Sequence, residues 1–311
     1  MSGPPARLPV TVIGGYLGAG KTTLVNRLLR HADGRRIAVL VNEFGALPID
    51  RDLIVSAEGD TIDIAGGCVC CGYGSDLMAA LMDLPRRRPD IEHVVLETSG
   101  VALPGMVAMA LGLLSGYALD GIVVLADAET VREHAADRYL GDTILRQLAA
   151  ADLLLLNKAD LVTTAMLRET AAWLAVVAPN VPLLQATRGE VPSALVFGLG
   201  PDAASPRRQS LATGATHAAS FYESLSLQVA TPVDIQSLAD GLAANDGVLR
   251  AKGFLRDGAG RLRGLQVVGR RCEVTEAPPG AVPGMLVLIG LRGQLDRIAI
   301  ERLVAAMPDA G

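Results

Sequence analysis

Eight residues near the start of the chain constrain its fold more than any other feature. Gly15-Tyr16-Leu17-Gly18-Ala19-Gly20-Lys21-Thr22 stands between an apolar run at 10–13 and a helical stretch at 21–31. A G-x-x-x-x-G-K-T segment between a strand and a helix is a phosphate-binding loop. Glycines let the backbone close around phosphate oxygens, and the loop amides and the helix N-terminus then face the negative charge. Lys21 is placed to neutralise the β- and γ-phosphates of a nucleotide, and the Thr22 hydroxyl to ligate Mg²⁺. Gly15, Gly18, Ala19, Gly20 and Thr23 complete the candidate contacts in this stretch. Such a loop needs a strand held inside a parallel sheet, so the expected fold class is α/β with a doubly wound, mostly parallel sheet.

The pattern further along agrees. Apolar, strand-like runs lie at 10–13, 37–41, 61–64, 94–97, 122–126, 153–156 and 183–185. Helical stretches lie between them at 21–31, 75–84, 141–150 and 165–178, with another near 106–114. Several strands are apolar throughout, as in a sheet buried on both faces. Beyond 198 the composition turns to Gly, Pro, Ser, Ala and Thr without any period. The expected organisation is a nucleotide-binding domain at 1–200, a flexible linker at 201–218 and a smaller α/β domain at 219–311. Strands at 220–229, 248–256, 261–268 and 285–289 and helices at 234–244 and 297–306 would build the second domain. The turns Asp257-Gly258 and Pro279-Gly280 would join them.

Three more strand ends carry chemistry. Asn157-Lys158-Ala159-Asp160 follows the run 153–156. An Asp carboxylate there accepts from guanine's ring N–H and exocyclic amine, a donor pair adenine lacks, and a site built for such bonds rejects a ligand that cannot make them. Asn157, Lys158 and Asp160 are therefore the candidate base contacts, with Ala186-Thr187 as a loop behind the base. Glu97-Thr98-Ser99-Gly100 ends another strand. Glu97 is a candidate to hold a water on Mg²⁺ or orient the attacking water, and the Gly100 N–H to meet the γ-phosphate. The bland reading of Glu97 is a cap on the following helix. Asn42-Glu43-Phe44-Gly45 follows a third strand, where a switch loop would begin, and Glu43 is a candidate for Mg²⁺ or the nucleophilic water.

The chain has four cysteines, Cys68, Cys70, Cys71 and Cys272. Cys68, Cys70 and Cys71 lie in Gly66-Gly67-Cys68-Val69-Cys70-Cys71-Gly72. As thiolates they can converge on one soft cation. A sealed structural zinc site has four protein ligands, so three leave a position open, which suits a metal that must leave again. Cys272 lies in a strand-like run of the second domain and reads as core. His31, His93, His134 and His217 show no ligand spacing and read as surface or capping residues.

Composition excludes some partners. A formal charge of −5 argues against holding nucleic acid. The run Arg86-Arg87-Arg88 reads as a solvated turn. The Pro-rich start lacks the apolar core of a signal peptide. The uncharged stretch 101–119 contains Pro104 and three glycines and stops at Asp120, so it reads as something other than a membrane span. A cytoplasmic chain, with no membrane partner, is the expectation.

Taken together, GGYLGAGKTTLVNRLL, VNEFG with Ile49-Asp50, GGCVCC, ETSG and NKAD resemble the CobW-type metallochaperone GTPases. LRAKGFL at 249–255 and the stretch from Leu288 to Gly290 are similar to that family's C-terminal domain. The resemblance implies GTP hydrolysis with Mg²⁺, coupled to delivery of zinc or cobalt to a metalloenzyme or other client of a metal pathway. It implies Cys68, Cys70 and Cys71 as metal ligands, Lys21 and Thr22 as phosphate and Mg²⁺ contacts, and Asn157, Lys158 and Asp160 as base contacts. Beside the resemblance, Lys21, Glu43 and Glu97 are the candidate catalytic set, and a second copy of the chain is a candidate partner. Ala46, Gly74 and Leu103 stand where many members carry an acid, an arginine and an aspartate, and the His-rich linker of many members is absent. Two other classes fit parts of the pattern. One is a regulatory GTPase with redox-sensing cysteines and no metal; the other is a small-molecule kinase, against which N-K-x-D argues.

Overall fold

The computed structural model describes residues 7–32, 35–42, 61–64, 75–197, 222–277 and 281–307. These divide into two compact units, 1–193 and 194–311.

The first unit is built on a parallel sheet of seven strands: β1 (Leu8–Gly15), β2 (Ile37–Asn42), β3 (Thr61–Ile64), β4 (His93–Thr98), β5 (Tyr117–Asp127), β6 (Leu153–Asn157) and β7 (Leu183–Gln185). Their order is β3-β2-β4-β1-β5-β6-β7. All of β4 and β6 is buried, and β1 is buried from Val10 onward. That is why these strands read as continuous apolar runs: helices cover both faces of a parallel sheet.

The helices are α1 (Lys21–Arg30), α2 (Ser75–Arg87), α3 (Pro104–Leu111), α4 (Val131–Ala136), α5 (Gly141–Ala149) and α6 (Thr164–Val177). Two of them start on recognisable chemistry. Pro104 opens α3 at its first turn, where a missing N–H costs nothing. The Thr163 hydroxyl caps α6 by accepting from Met166 N. On α5, Ile144, Gln147 and Leu148 form the buried stripe.

Some expectations agree with the structure and others need correction. The stretch 101–119 is not one segment: it contains α3, a turn and the start of β5. Among the described residues no helix is long and apolar enough to cross a membrane. Asp120 does not precede β5 but lies inside it, as the extra residue where the register with β1 shifts between Val10 and Thr11. There its carboxylate accepts from the Thr11 hydroxyl at 3.2 Å, and Thr11 Oγ1 lies 2.8 Å from His93 Nε2. His93 is therefore a core residue, 3% exposed, and not a surface or capping one. His31 does cap: its ring lies 2.9 Å from Arg27 O at the end of α1. His217 is outside the described residues. Arg86 and Arg87 sit in the last turn of α2, not in a turn, and pair with Asp83. Arg88 pairs with Asp90.

The second unit opens with a short helix, α7 (Ser193–Phe197), whose residues from Ala194 onward belong to it. Its sheet is antiparallel, with strands β8 (Tyr222–Gln228), β9 (Arg250–Arg256), β10 (Leu262–Val268), β11 (Arg271–Glu276) and β12 (Met285–Leu291) in the order β11-β10-β9-β12-β8. Helices α8 (Ile235–Ala243) and α9 (Arg297–Ala305) close one hydrophobic core with it. Asp234 and Asp296 cap the two helices, accepting from Ser237 N and from Ile298 and Ala299 N. β11 was not among the bounded strands expected for this domain, although the run around Cys272 reads as strand-like. It carries Cys272 at the edge of the sheet, half-buried rather than deep in the core, with its thiol 3.0 Å from Asp240 Oδ1. Asp257 and Gly258 do turn the chain, in the β9–β10 hairpin where Gly260 N donates to Asp257 O. The 279–280 turn falls outside the described residues.

Candidate functional site

Because the sheet is parallel, every strand of the first unit ends on the same edge. Gly15, Asn42, Ile64, Thr98, Asp127, Asn157 and Gln185 are those ends. This is where ligands bind in open α/β sheets. The edge brings together the phosphate loop, Glu97, Gly100 and the N-K-x-D segment.

The phosphate loop runs from β1 into α1 through Gly15, Gly18 and Gly20, all at positive φ. At Gly20 the reason is close approach: a Cβ there would collide with Asn157 Nδ2. Gly18 differs, for a Cβ built on it meets nothing within 4 Å. Gly18 is exposed, so its positive φ and not close packing is what asks for glycine there. α1 starts with no side-chain cap and no acid in its first turn, so its N-terminus carries no negative side chain that would oppose a bound anion. Lys21 is 8% exposed and donates from Nζ to Tyr16 O at 3.3 Å, across the loop it would serve. This arrangement fits the polyphosphate that the motif implies.

Thr22 and Glu97 meet. The Thr22 hydroxyl donates to Glu97 Oε1 at 2.9 Å, and Glu97 is 5% exposed. Glu97 therefore faces the phosphate loop and is not the cap of α3, whose N-cap residue is Leu103. Two oxygen ligands side by side, one a carboxylate, suit a hard cation of the Mg²⁺ type. Among the described residues no group of three His, Cys, Asp or Glu is arranged to hold a metal ion. Glu43, Cys68, Cys70 and Cys71 lie outside the described residues. Asn42 pairs with Thr98 and with Ile64, so both chain segments that carry them leave from this same sheet edge.

At the base end, Asn157 ties two loops together. Its Nδ2 donates to Ala19 O, and its Oδ1 accepts from Gly189 N, each at 2.9 Å. Lys158 holds a left-handed backbone, φ 61, which is strained for a residue with a side chain. Its Nζ reaches Asp127 Oδ2 at 2.6 Å. Asp160 stands exposed in the 3₁₀ turn that follows (Ala159–Leu161). Ala159 N donates to Ala186 O and Ala186 N to Leu156 O, so the Ala186-Thr187 loop does lie beside the N-K-x-D segment. Arg27 of α1 bonds Glu190 at 2.6 Å and fastens that loop from below.

Two residues here were missed. Asp127 ends β5 as Asn157 ends β6, and a polar residue closing an apolar run was the available signal. Gln147 interrupts the apolar stripe of α5, and its Nε2 donates to Gly100 O and Ala102 O at 2.9 and 2.8 Å.

A phosphate loop after the central strand, an acid from the neighbouring strand on its threonine, and an N-K-x-D end two strands away define a P-loop GTPase. The model of the CobW/HypB/UreG nucleotide-binding domain matches residues 9–185, and that of the cobalamin synthesis protein cobW C-terminal domain matches 222–307. The chain belongs to the CobW/HypB/UreG family. A protein of Sinorhizobium named zinc chaperone CobW is 31% identical, over 97% of each chain. A zinc chaperone CobW of Pseudomonas aeruginosa is 34% identical over 64% of this chain and 61% of its own length. The zinc chaperone YjiA of Escherichia coli is 33% identical over 61% of each. In the last two cases the match spans about three-fifths of the relative.

Proposed function

We propose that this protein is a GTP-hydrolysing metallochaperone that binds zinc through Cys68, Cys70 and Cys71 and hands it to a client metalloprotein. The observation that carries the nucleotide half is the contact of Thr22 with Glu97 inside a sheet edge that also presents Lys21 and Asn157-Lys158-Ala159-Asp160. Lys21 neutralises the β- and γ-phosphates, and Thr22 with Glu97 would hold Mg²⁺, which supplies charge compensation as the γ-phosphoryl group leaves. Gly100 offers its N–H to the γ-phosphate. Asp160 would accept from guanine's two N–H donors, and Lys158, fixed by Asp127, would contact the base. Glu43 would orient or activate the attacking water together with Glu97.

The metal half rests on the thiols and on the relatives. Three thiolates suit Zn²⁺ and leave its fourth position open to a client's ligand. The name zinc chaperone, carried by relatives along nearly the whole chain or three-fifths of it, supports zinc ahead of cobalt and delivery ahead of redox sensing. The β2–β3 pairing supports a link between the two halves. The segment bearing the cysteines leaves the sheet three strands from β1, about 14 Å at ~4.8 Å per strand. A client metalloprotein is the partner this reading requires.

The test is one protein with two ligands. Unlabelled GTP should displace a fluorescent GTP analogue far better than ATP does, and Asp160→Asn should erode the preference. Lys21→Ala should remove hydrolysis. The reduced protein should take up one Zn²⁺ that the Cys68/Cys70/Cys71→Ser variant does not. Equal displacement by ATP would end the guanine reading, and unchanged zinc uptake by the triple variant would end the thiol one.

A further inference from the structure

Gln147 contacts the Gly100–Ala102 turn beside the phosphate loop, and it is not at a strand end like the other polar residues of the site. It belongs to α5, is 1% exposed, and occupies the helix's apolar stripe between Ile144 and Leu148. A carboxamide in such a place is costly unless its donors are satisfied. Both N–H groups of Nε2 are satisfied by one target: the carbonyls of Gly100 and Ala102.

Those carbonyls belong to a tight turn. Ala102 N donates to Ser99 O at 3.0 Å and closes the turn from within. Gln147 fastens it from outside, on α5. The opposite side of the turn lies on the phosphate loop: a Cβ at Gly100 would stand 2.6 Å from Leu17 Cδ2 and 2.7 Å from Leu17 N. The turn is thus held between the phosphate loop and α5, with the Gly100 backbone against the first and its carbonyl on the second. One strand residue earlier, Thr98 donates to Ile13 O at 3.2 Å, which keeps the end of β4 in line with β1.

From this geometry we infer that Gln147 is a positioning residue for hydrolysis: it sets the turn that aims the Gly100 N–H at the γ-phosphate. Its contacts are with the carbonyls of Gly100 and Ala102, so it acts through the turn. The inference rests on the GTPase reading given above. Its consequence is selective. GDP has no γ-phosphate, so GDP affinity does not depend on the turn, whereas GTP affinity and turnover do. A preorganised donor contributes most where charge develops in the transition state, so turnover suffers more than binding.

The experiment uses the full chain and Gln147→Met, which keeps the length and volume of the side chain and removes both donors. Two buried carbonyls then lose their partner, which corresponds to roughly tenfold or more in whatever step needs the turn. Expected are a fall in kcat of roughly that size or more, a smaller loss of affinity for a non-hydrolysable GTP analogue, and GDP affinity within about twofold of the parent. Gln147→Asn, too short to reach both carbonyls, should behave in the same way if the Met variant does not fold. On the unaltered protein, amide hydrogen exchange at Gly100 should slow with the Mg-GTP analogue relative to Mg-GDP. A folded variant with unchanged kcat, an equal loss of GDP and GTP-analogue binding, or Gly100 exchange identical in the two states would overturn the inference. A parent protein that neither binds nor hydrolyses GTP would instead overturn the GTPase reading on which it stands.

Discussion

At the scale of single residues, the site is defined by polar side chains that end buried strands. Glu97, Asp127 and Asn157 are each at or next to a strand terminus and each less than a tenth exposed. Burial makes a polar group depend on its partner, and each of these has a partner on the phosphate loop or in the base segment. The same logic applies to the Cys272 thiol. Burial raises its pKa, and the Asp240 carboxylate beside it raises it further. The reactive and metal-binding form of cysteine is the thiolate, so near neutral pH Cys272 stays a protonated thiol. In the Cys68/Cys70/Cys71→Ser protein the remaining thiol should therefore react with a disulfide reagent more slowly than free cysteine does. Its rate should climb with pH beyond the range where free cysteine has levelled off, and Asp240→Asn should speed it. Reaction as fast as free cysteine would show that Asp240 and burial do not protect it.

At the scale of elements, strands and their ends were the legible part. Runs such as 153–156 are apolar throughout because both sheet faces are covered, and the motif chemistry begins where the run stops. What escaped were elements whose stability is tertiary. β11 holds its place by pairing with β10, from Arg263 with Glu276 to Val268 with Arg271, and has only partly buried side chains. α7 is five residues long, and no local signal announces it. Its partner is Arg250 of β9, 1% exposed, whose guanidinium donates to Leu195 O and Val196 O at 2.9 and 3.2 Å. A strand residue that caps a helix some fifty positions away cannot be read from periodicity. The buried Thr11, His93 and Asp120 group escaped for a similar reason, since the bulge that brings Asp120 inward is a property of the paired strands. The Arg250 contact can be weighed directly. Arg250→Met removes the donors and leaves two helix-end carbonyls without them, so unfolding of the second unit should lose about 2–4 kcal/mol. Denaturant titration followed by a probe in that unit checks this; a loss under about 0.5 kcal/mol, the usual size for a surface change, would contradict it.

At the scale of the whole molecule, the proposed metallochaperone would work as a switch. β2 and β4 end side by side on the nucleotide edge, and the segment carrying Cys68, Cys70 and Cys71 follows β3, which ends on that same edge. Loops ordered by a γ-phosphate and Mg²⁺ can bias the geometry of a thiol set that shares their anchor points, and hydrolysis then relaxes it. Such coupling is reciprocal: if GTP changes zinc affinity, zinc changes GTP affinity by the same factor. The most direct measurement is the Zn²⁺ affinity of the reduced protein, by competition with a chelator, first with Mg-GDP and then with a non-hydrolysable Mg-GTP analogue. A typical coupling of about 1–3 kcal/mol predicts affinities that differ by roughly 5- to 150-fold, with the difference abolished in the Cys68/Cys70/Cys71→Ser variant. Equal affinities in the two nucleotide states would contradict the account: the protein would then hold zinc and hydrolyse GTP with no coupling between them.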